Sequence, residues 1–208
     1  MKASAYLLLT MVSIAIGLRG GAESPSVGYL VLPAGSGLDE PTSSLVDSCN
    51  WVVAGANQPA SELESAGYTL DEEEPHADGA VSYLFNKSFS AGQIIAQDGK
   101  FTFQGGSGSS LKVTSSTAED HRGKVRRYDC YLYYPVTGDA GLDRLTISDL
   151  GIGLGLMNDP QFAEEQEMDA IWVGACEDDC VLLAYQERED YVPPTHEVRI
   201  TIITDKTN

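Results

Sequence analysis

The chain has 208 residues, and its 31 acidic residues outnumber its 13 basic residues, so that the formal net charge at pH 7 is −18. Nucleic acids and anionic membrane surfaces are polyanions that bind basic surfaces, so this charge argues against both as partners. The length suits one domain that buries most of its apolar surface.

The N-terminal segment has the pattern of a secretory signal peptide. Lys2 supplies a positive charge, residues 5–16 form an apolar run, and residues 20–22 are the small residues Gly-Gly-Ala. The run is too short to span a bilayer. We therefore expect a signal peptide over residues 1–22 and a single β-rich domain over residues 23–208 that is secreted to the extracellular medium, with no membrane attachment after cleavage.

Short β-type runs separated by Gly, Asp, Ser and Pro dominate the rest of the chain. They lie at residues 27–32, 51–54, 81–85, 93–96, 101–103, 111–113, 125–134, 145–147, 170–173, 181–185 and 198–203. This spacing predicts a mainly β, single-domain antiparallel β-sandwich or barrel. Asp98-Gly99 predicts a tight hairpin between two of the runs, because this dipeptide adopts the positive φ angles of a two-residue turn.

Helical patterns are sparse, and we predict one or two short surface helices. Residues 59–65, closed by Gly67, form the first candidate, and the second begins at Asn158 or Asp159 and ends near Met168. Residues 151–156 (GIGLGL) lack the glycine spacing of a dinucleotide site and predict a flexible or closely packed backbone segment.

The four cysteines form an even set in a protein predicted to enter an oxidising compartment, so we expect two disulfides. Cys176 and Cys180 flank three acidic residues between two apolar runs, and a hairpin there would bring them opposite each other. This favours Cys176–Cys180 and Cys49–Cys130, although pairing of Cys176 and Cys180 with the two distant cysteines stays open. Zinc is disfavoured, because the set offers a single C-x3-C pair.

The run at residues 125–134 carries the candidate binding surface. Alternation along a strand divides its side chains between two faces, with Tyr128, Cys130, Leu132 and Tyr134 on one and Arg127, Asp129, Tyr131 and Tyr133 on the other. A bonded Cys130 makes the first set the core face. The second set then combines charges with tyrosines, a composition used to bind sugars or protein surfaces. The competing interpretation is that a loop covers this face.

A basic cluster at residues 121–127 stands out in an acidic chain. It is interpreted first as a charged sheet edge that discourages aggregation. Contact with an acidic partner and proteolytic processing at Arg126-Arg127 are the alternatives.

Catalytic and cofactor motifs are absent from the sequence. Residues 105–109 lack the closing glycine of a nucleophile elbow, and no phosphate loop occurs, so no cofactor is expected. The histidines His76, His121 and His196 each have an acidic neighbour, and we consider His76 the best of the three because an acidic run precedes it.

No metal site is predicted, and the acidic loop is interpreted first as solvated. The weak calcium candidate is the acidic set Asp71, Glu73, Glu74 and Asp78. Asn86-Lys87-Ser88 is the sole N-x-[ST] sequon, which predicts a surface position for Asn86 and its glycosylation in a eukaryotic host.

Three function classes fit these features. The first is a disulfide-stabilised extracellular binding protein, whose partner is a carbohydrate or a protein. A secreted hydrolase with a glycosidase-like carboxylate pair is the second, and a structural coat or matrix component is the third. The first class is favoured, because it needs no catalytic signature and uses the tyrosine face.

Overall fold

The computed structural model describes residues 30–32, 37, 38, 40–87, 93–97, 100–104, 109–120, 123–135, 140–176, 179–190 and 194–205. For residues 93–97, 100–104 and 140–146 it describes the backbone alone. The predicted signal peptide, His121 and the turn residues Asp98-Gly99 lie outside the described residues. Of the run predicted at residues 27–32, residues 30–32 are described, and they are not in a strand.

Four helices and ten strands follow one another along the described chain. The helices are α1 (Glu40–Val53), α2 (Ser61–Ser65), α3 (Ala140–Gly153) and α4 (Pro160–Glu165). The strands are β1 (Thr69–Pro75), β2 (Val81–Lys87), β3 (Gln93–Gln97), β4 (Lys100–Gln104), β5 (Ser109–Asp120), β6 (Gly123–Pro135), β7 (Met157–Asn158), β8 (Ala170–Val173), β9 (Asp179–Arg188) and β10 (Thr195–Thr204). None of the helices in this part of the chain is long and apolar enough to cross a membrane.

Eight of the strands form one antiparallel sheet in the order β1-β2-β5-β6-β10-β9-β8-β7. β3 and β4 pair separately, with Gln97 opposite Lys100, which confirms the hairpin predicted from Asp98-Gly99. The prediction of a mainly β, antiparallel, single-domain fold is confirmed.

The second layer of the fold consists of helices. The predicted sandwich or barrel would have packed strands against the sheet instead. Helix α1 packs on β5 and β6, and the Cys49–Cys130 disulfide joins it to β6. Helix α3 packs on β8, where Gly151 lies so close to Trp172 that an added Cβ would approach its ring to 2.8 Å. Of the two alternatives predicted for residues 151–156, a flexible or a closely packed segment, close packing holds at Gly151, whereas an added Cβ at Gly155 would meet nothing within 4 Å.

Besides the run at residues 27–32, two predicted strands are wrong. Residues 51–54 end α1 and run into the turn after it, and residues 145–147 lie within α3. The buried residues of α1 include Leu45, Val46, Cys49, Val52 and Val53, a spacing of three and four that matches the helical period. A short apolar run read alone does not distinguish a buried helix from a strand. The polar residues Thr42, Ser44 and Ser48 are buried in the same helix and obscure its pattern.

The two predicted helices are confirmed as α2 and α4. The Asp159 carboxylate accepts a hydrogen bond from the backbone amide of Phe162 at 3.0 Å, so Asp159 is the N-cap of α4 and Pro160 lies in its first turn. Ala163 of α4 packs on Ile171 and Ala184. Ile171 pairs with Ala184, Ala184 with Arg199, and Arg199 with Tyr131, so all four side chains lie on one face of the sheet. Helix α4 therefore lies on the sheet face opposite α1 and α3.

The two disulfides connect Cys49 with Cys130 and Cys176 with Cys180, as the sequence favoured. The first is buried between the layers, whereas Cys176 is exposed. Arg126-Arg127 lies inside β6, which pairs with β5 on one side and β10 on the other. The expectation that these arginines mark a sheet edge is therefore wrong for this pair, and processing there would cut a central strand.

Candidate functional site

The sheet face opposite α1 and α3 is called the open face; α4 lies on it at β8 and β9, and β6 runs along its middle. Tyr128, Cys130 and Leu132 are buried on the helical side, so Tyr131 and Tyr133 lie on the open face, where the alternation placed them. Both tyrosines are half-buried. Their rings stack at 5° with centroids 6.0 Å apart, so each ring stabilises the orientation of the other.

Two basic residues flank Tyr131 across the sheet. Lys112 of β5 and Arg199 of β10 are its direct partners in the antiparallel register, and the Arg199 guanidinium carbon lies 6.0 Å from the centre of its ring. Burial raises the pKa of the Tyr131 hydroxyl, the Asp129 carboxylate raises it further, and a hydrogen bond with Arg199 opposes the rise. The hydroxyl is therefore protonated and able to donate a hydrogen bond at neutral pH.

Arg127 and Asp129, the other two predicted binding residues, form an ion pair with each other. The Arg127 guanidinium donates to the two Asp129 carboxylate oxygens at 2.7 and 3.1 Å. Asp129 is 9% exposed and also accepts a hydrogen bond of 2.7 Å from the Thr201 hydroxyl. The structure therefore uses this pair to fix β6 against β10, next to Tyr131, rather than to present two unengaged charges.

A second ion pair lies beside Tyr133 and includes its register partner on β10. Glu197 lies opposite Tyr133 on β10, is buried, and accepts a hydrogen bond of 3.0 Å from Arg188. Arg188 also donates to the Asp190 carboxylate at 2.8 and 2.9 Å. Two of the arginines on the open face are thus paired with acids, while Lys112 and Arg199 beside Tyr131 form no ion pair within the described residues.

Sequence reasoning missed Lys112, Arg199, Glu197 and Thr201. Alternation in the run at residues 198–203 does place Arg199 and Thr201 on one face. No local signal shows that this face adjoins the tyrosines, because the pairing of β10 with β6 joins residues about 70 positions apart, as in the contact between Thr201 and Asp129.

A chain of hydrogen bonds links His76, Ser82 and Thr114 near the β1 end of the sheet. His76 Nε2 lies 2.8 Å from Ser82 Oγ, which lies 3.0 Å from Thr114 Oγ1. This is the distance between a serine nucleophile and its base. Ser82 is 6% exposed, however, so the arrangement supports the hairpin and leaves little space for a substrate. His196 is fully buried beside the Tyr185 hydroxyl, 2.9 Å from its Nδ1.

The acidic residues of the calcium candidate do not converge. Glu74 lies opposite Ser82 on the open face, whereas Glu73 lies opposite Tyr83 on the helical side. Asp71 bonds to the Asn86 amide, and Asp78 accepts a bond from the Ala80 backbone amide. Within the described residues, no group of three or more metal-binding side chains comes together. The alternation of an edge strand separates these neighbours.

The predicted glycosylation residue lies on the open face at the end of β2. Asn86 is half-buried, and its side-chain amide donates to Asp71 at 2.6 Å while its oxygen accepts from the Ser110 hydroxyl at 2.6 Å. A glycan attached there would have to displace the contact with Asp71. Asn86 also shares a row of the sheet with Tyr133 through Ser110.

Comparison with known proteins finds no match to any family model, curated protein or solved structure. The residues of the open face therefore carry the functional argument. They combine a stacked tyrosine pair, two flanking cations and a rigid network of ion pairs on a central strand, and this arrangement can bind a ligand without supplying a nucleophile or a metal.

Proposed function

We propose that this protein is a secreted, extracellular binding protein whose open face contacts a carbohydrate or a protein surface. Two disulfides are typical of proteins that enter an oxidising compartment, and the N-terminal pattern supports export. The acidic net charge argues against nucleic acid and anionic membrane as the ligand.

The observation that carries the proposal is the half-buried, stacked pair Tyr131 and Tyr133 on the face opposite α1 and α3. Tyrosine combines a broad apolar surface with a polar tip and loses little conformational entropy on binding. Stacking restricts both rings before any ligand arrives. The strand beneath them has neighbours on both sides, so the two hydroxyl groups are held on a rigid support.

The test is to replace both tyrosines, as Tyr131→Ser with Tyr133→Ser, after the wild-type protein has been screened against arrays of extracellular polysaccharides and proteins. Loss of two aromatic contacts at the centre of an interface should weaken binding of the ligands found by more than about tenfold. The melting temperature should fall less than for a core substitution, because both rings are partly exposed.

The matched control is Ile152→Ser, which removes an exposed apolar side chain from α3 in the helical layer. Its binding should equal that of the wild type. If the double tyrosine variant folds and retains every interaction found in the screen, the open face is not the binding surface and the proposal fails.

A further inference from the structure

We propose that the row Lys112, Tyr131 and Arg199 binds a short acidic oligosaccharide, one whose sugars carry carboxylate groups. This inference rests on the proposed function and names the ligand class of the same surface. The row crosses three adjacent strands, β5, β6 and β10, with Tyr131 in the middle.

The spacing of the row suits an extended ligand. Neighbouring strands lie about 4.8 Å apart, so the backbones that carry Lys112 and Arg199 are separated by roughly 10 Å. The phenol of Tyr131 occupies the interval between the two charges. A chain of two or three sugars laid across the strands would place one carboxylate near each cation and a ring over the tyrosines.

The charge of the row differs from that of its surroundings. Arg127 is paired with Asp129 and Arg188 with Glu197, so these two arginines contribute little net positive potential. Lys112 and Arg199 form no ion pair among the residues that the structure describes. The middle of the open face is therefore locally cationic on a chain of net charge −18, and a complementary ligand carries negative charge there.

The chemistry of the three side chains matches a sugar acid. A guanidinium binds a carboxylate in a bidentate manner, while the lysine ammonium acts as a compact charge. The protonated Tyr131 hydroxyl can donate to a sugar hydroxyl. Tyr133, one row away, extends the apolar surface for the sugar ring.

The same charges argue for a short ligand rather than a long polyanion. A chain extended from Lys112 across β2 would reach β1, where Glu72 and Glu74 lie on the open face, in register with Leu84 and Ser82. β1 lies three strands from β6, roughly 14 Å away, and the screening length at physiological salt is about 8 Å, so the centre of a two- or three-sugar ligand on Tyr131 is largely shielded from these acids. A large acidic protein would meet them directly.

The experiment measures binding of trigalacturonate by isothermal titration calorimetry, with its methyl-esterified form as the uncharged match and hexaglutamate as an acidic peptide. Lys112→Ser and Arg199→Ser should each weaken trigalacturonate binding about tenfold or more, the usual effect of losing a charge-assisted contact. Lys124→Ser and Arg126→Ser are the controls, because they remove the same charges from exposed positions of β6 that alternate away from the open face. Both should bind as the wild type does.

Several outcomes overturn the inference. Equal affinity for the methyl ester shows that the acid groups are not recognised, and binding of hexaglutamate without trigalacturonate shows that the partner is a peptide. Absence of binding to trigalacturonate also refutes it. The proposed function is judged separately, since it fails only when the double tyrosine variant keeps the interactions found in the screen. Circular dichroism and melting of each variant exclude misfolding as the cause of a loss.

Discussion

Asp47 is a half-buried carboxylate in α1, a helix that otherwise packs against the sheet. Burial raises the pKa of Asp47 above its usual value of 3.8, and the nearby Glu62 carboxylate raises it further. A raised pKa in the folded state means that the unfolded state loses its proton first as pH increases. Ionised Asp47 therefore lowers the free energy of unfolding. This destabilisation develops as pH rises from about 3.8 through the folded-state pKa.

The substitution Asp47→Asn should remove this destabilisation. We expect the variant to melt at a higher temperature than the wild type at pH 7, with the difference vanishing near pH 3, where the aspartate is protonated in both states. Thermal unfolding followed by circular dichroism at both pH values measures it. Asp149→Asn, at an exposed position of α3, is the control and should show no such pH-dependent gain. A variant less stable than the wild type at pH 7 contradicts the argument.

Asn86 provides a second prediction at this scale. When the protein is secreted from a eukaryotic host, enzymatic deglycosylation should lower its apparent mass, and Asn86→Gln should abolish the shift. Its side-chain amide must leave Asp71 to accept the glycan, so Asp71→Ala should not reduce, and is expected to increase, the fraction modified. An unchanged mass after deglycosylation removes the claim.

At the scale of elements, the two disulfides contribute differently to stability. Cys49–Cys130 joins α1 to β6 across 81 residues of chain, whereas Cys176–Cys180 closes a separation of four residues after β8. In the chain-entropy model the long loop contributes about 4.5 kcal/mol and the short one about 2 kcal/mol. Cys49 and Cys130 are also fully buried between the layers, so their loss affects packing as well.

The double variant Cys49→Ala with Cys130→Ala should therefore lose more unfolding free energy than Cys176→Ala with Cys180→Ala, by about 2 kcal/mol or more. Urea unfolding of both variants measures the difference. Non-reducing peptide mapping checks the pairing itself, because the peptide that contains Cys176 and Cys180 should not be linked to any other. A link from it to the Cys49 or Cys130 peptide would refute the pairing.

Elements also show where sequence reasoning stops. The faces of β6 follow from alternation alone, and the hairpin of β3 and β4 follows from its turn residues, because both signals are local. Residues 51–54 at the end of α1 and residues 145–147 within α3 were predicted as strands, because four or three apolar residues satisfy either period. Only the packing of Leu45, Cys49 and Val52 against the sheet shows that the helical period applies.

For the whole molecule, the strand order predicts an uneven stability. β6 and β10 lie in the middle of the sheet, with a paired neighbour on each side, whereas β1 is an edge strand with exposed residues throughout and a register shift between Leu70 and Glu72. Backbone amides exchange slowest where opening requires disruption of the core. β6 and β10 should therefore be the most protected segments and β1 among the least protected.

Hydrogen exchange followed by mass spectrometry measures this order. Peptides from β6 and β10 should exchange by global unfolding, and those from β1 by local opening at much lower free energy. Equal protection of β1 and β6 would contradict the strand order. The measurement also bears on the proposed site, because Tyr131, Lys112 and Arg199 need a rigid central sheet to keep their spacing.

The sequence by itself determined the properties that depend on composition and on near neighbours. These are the β-rich class, the acidic charge, a helix that begins at Asn158 or Asp159 and the two faces of β6. The tertiary structure decided which residues share a surface: it put Lys112 and Arg199 beside Tyr131, separated Glu73 from Glu74, and packed α1 and α3 on one face of the eight-stranded sheet. The physical reason is that strand pairing and helix docking depend on the summed free energy of burying distant segments together, and no local pattern records which distant segment supplies the partner.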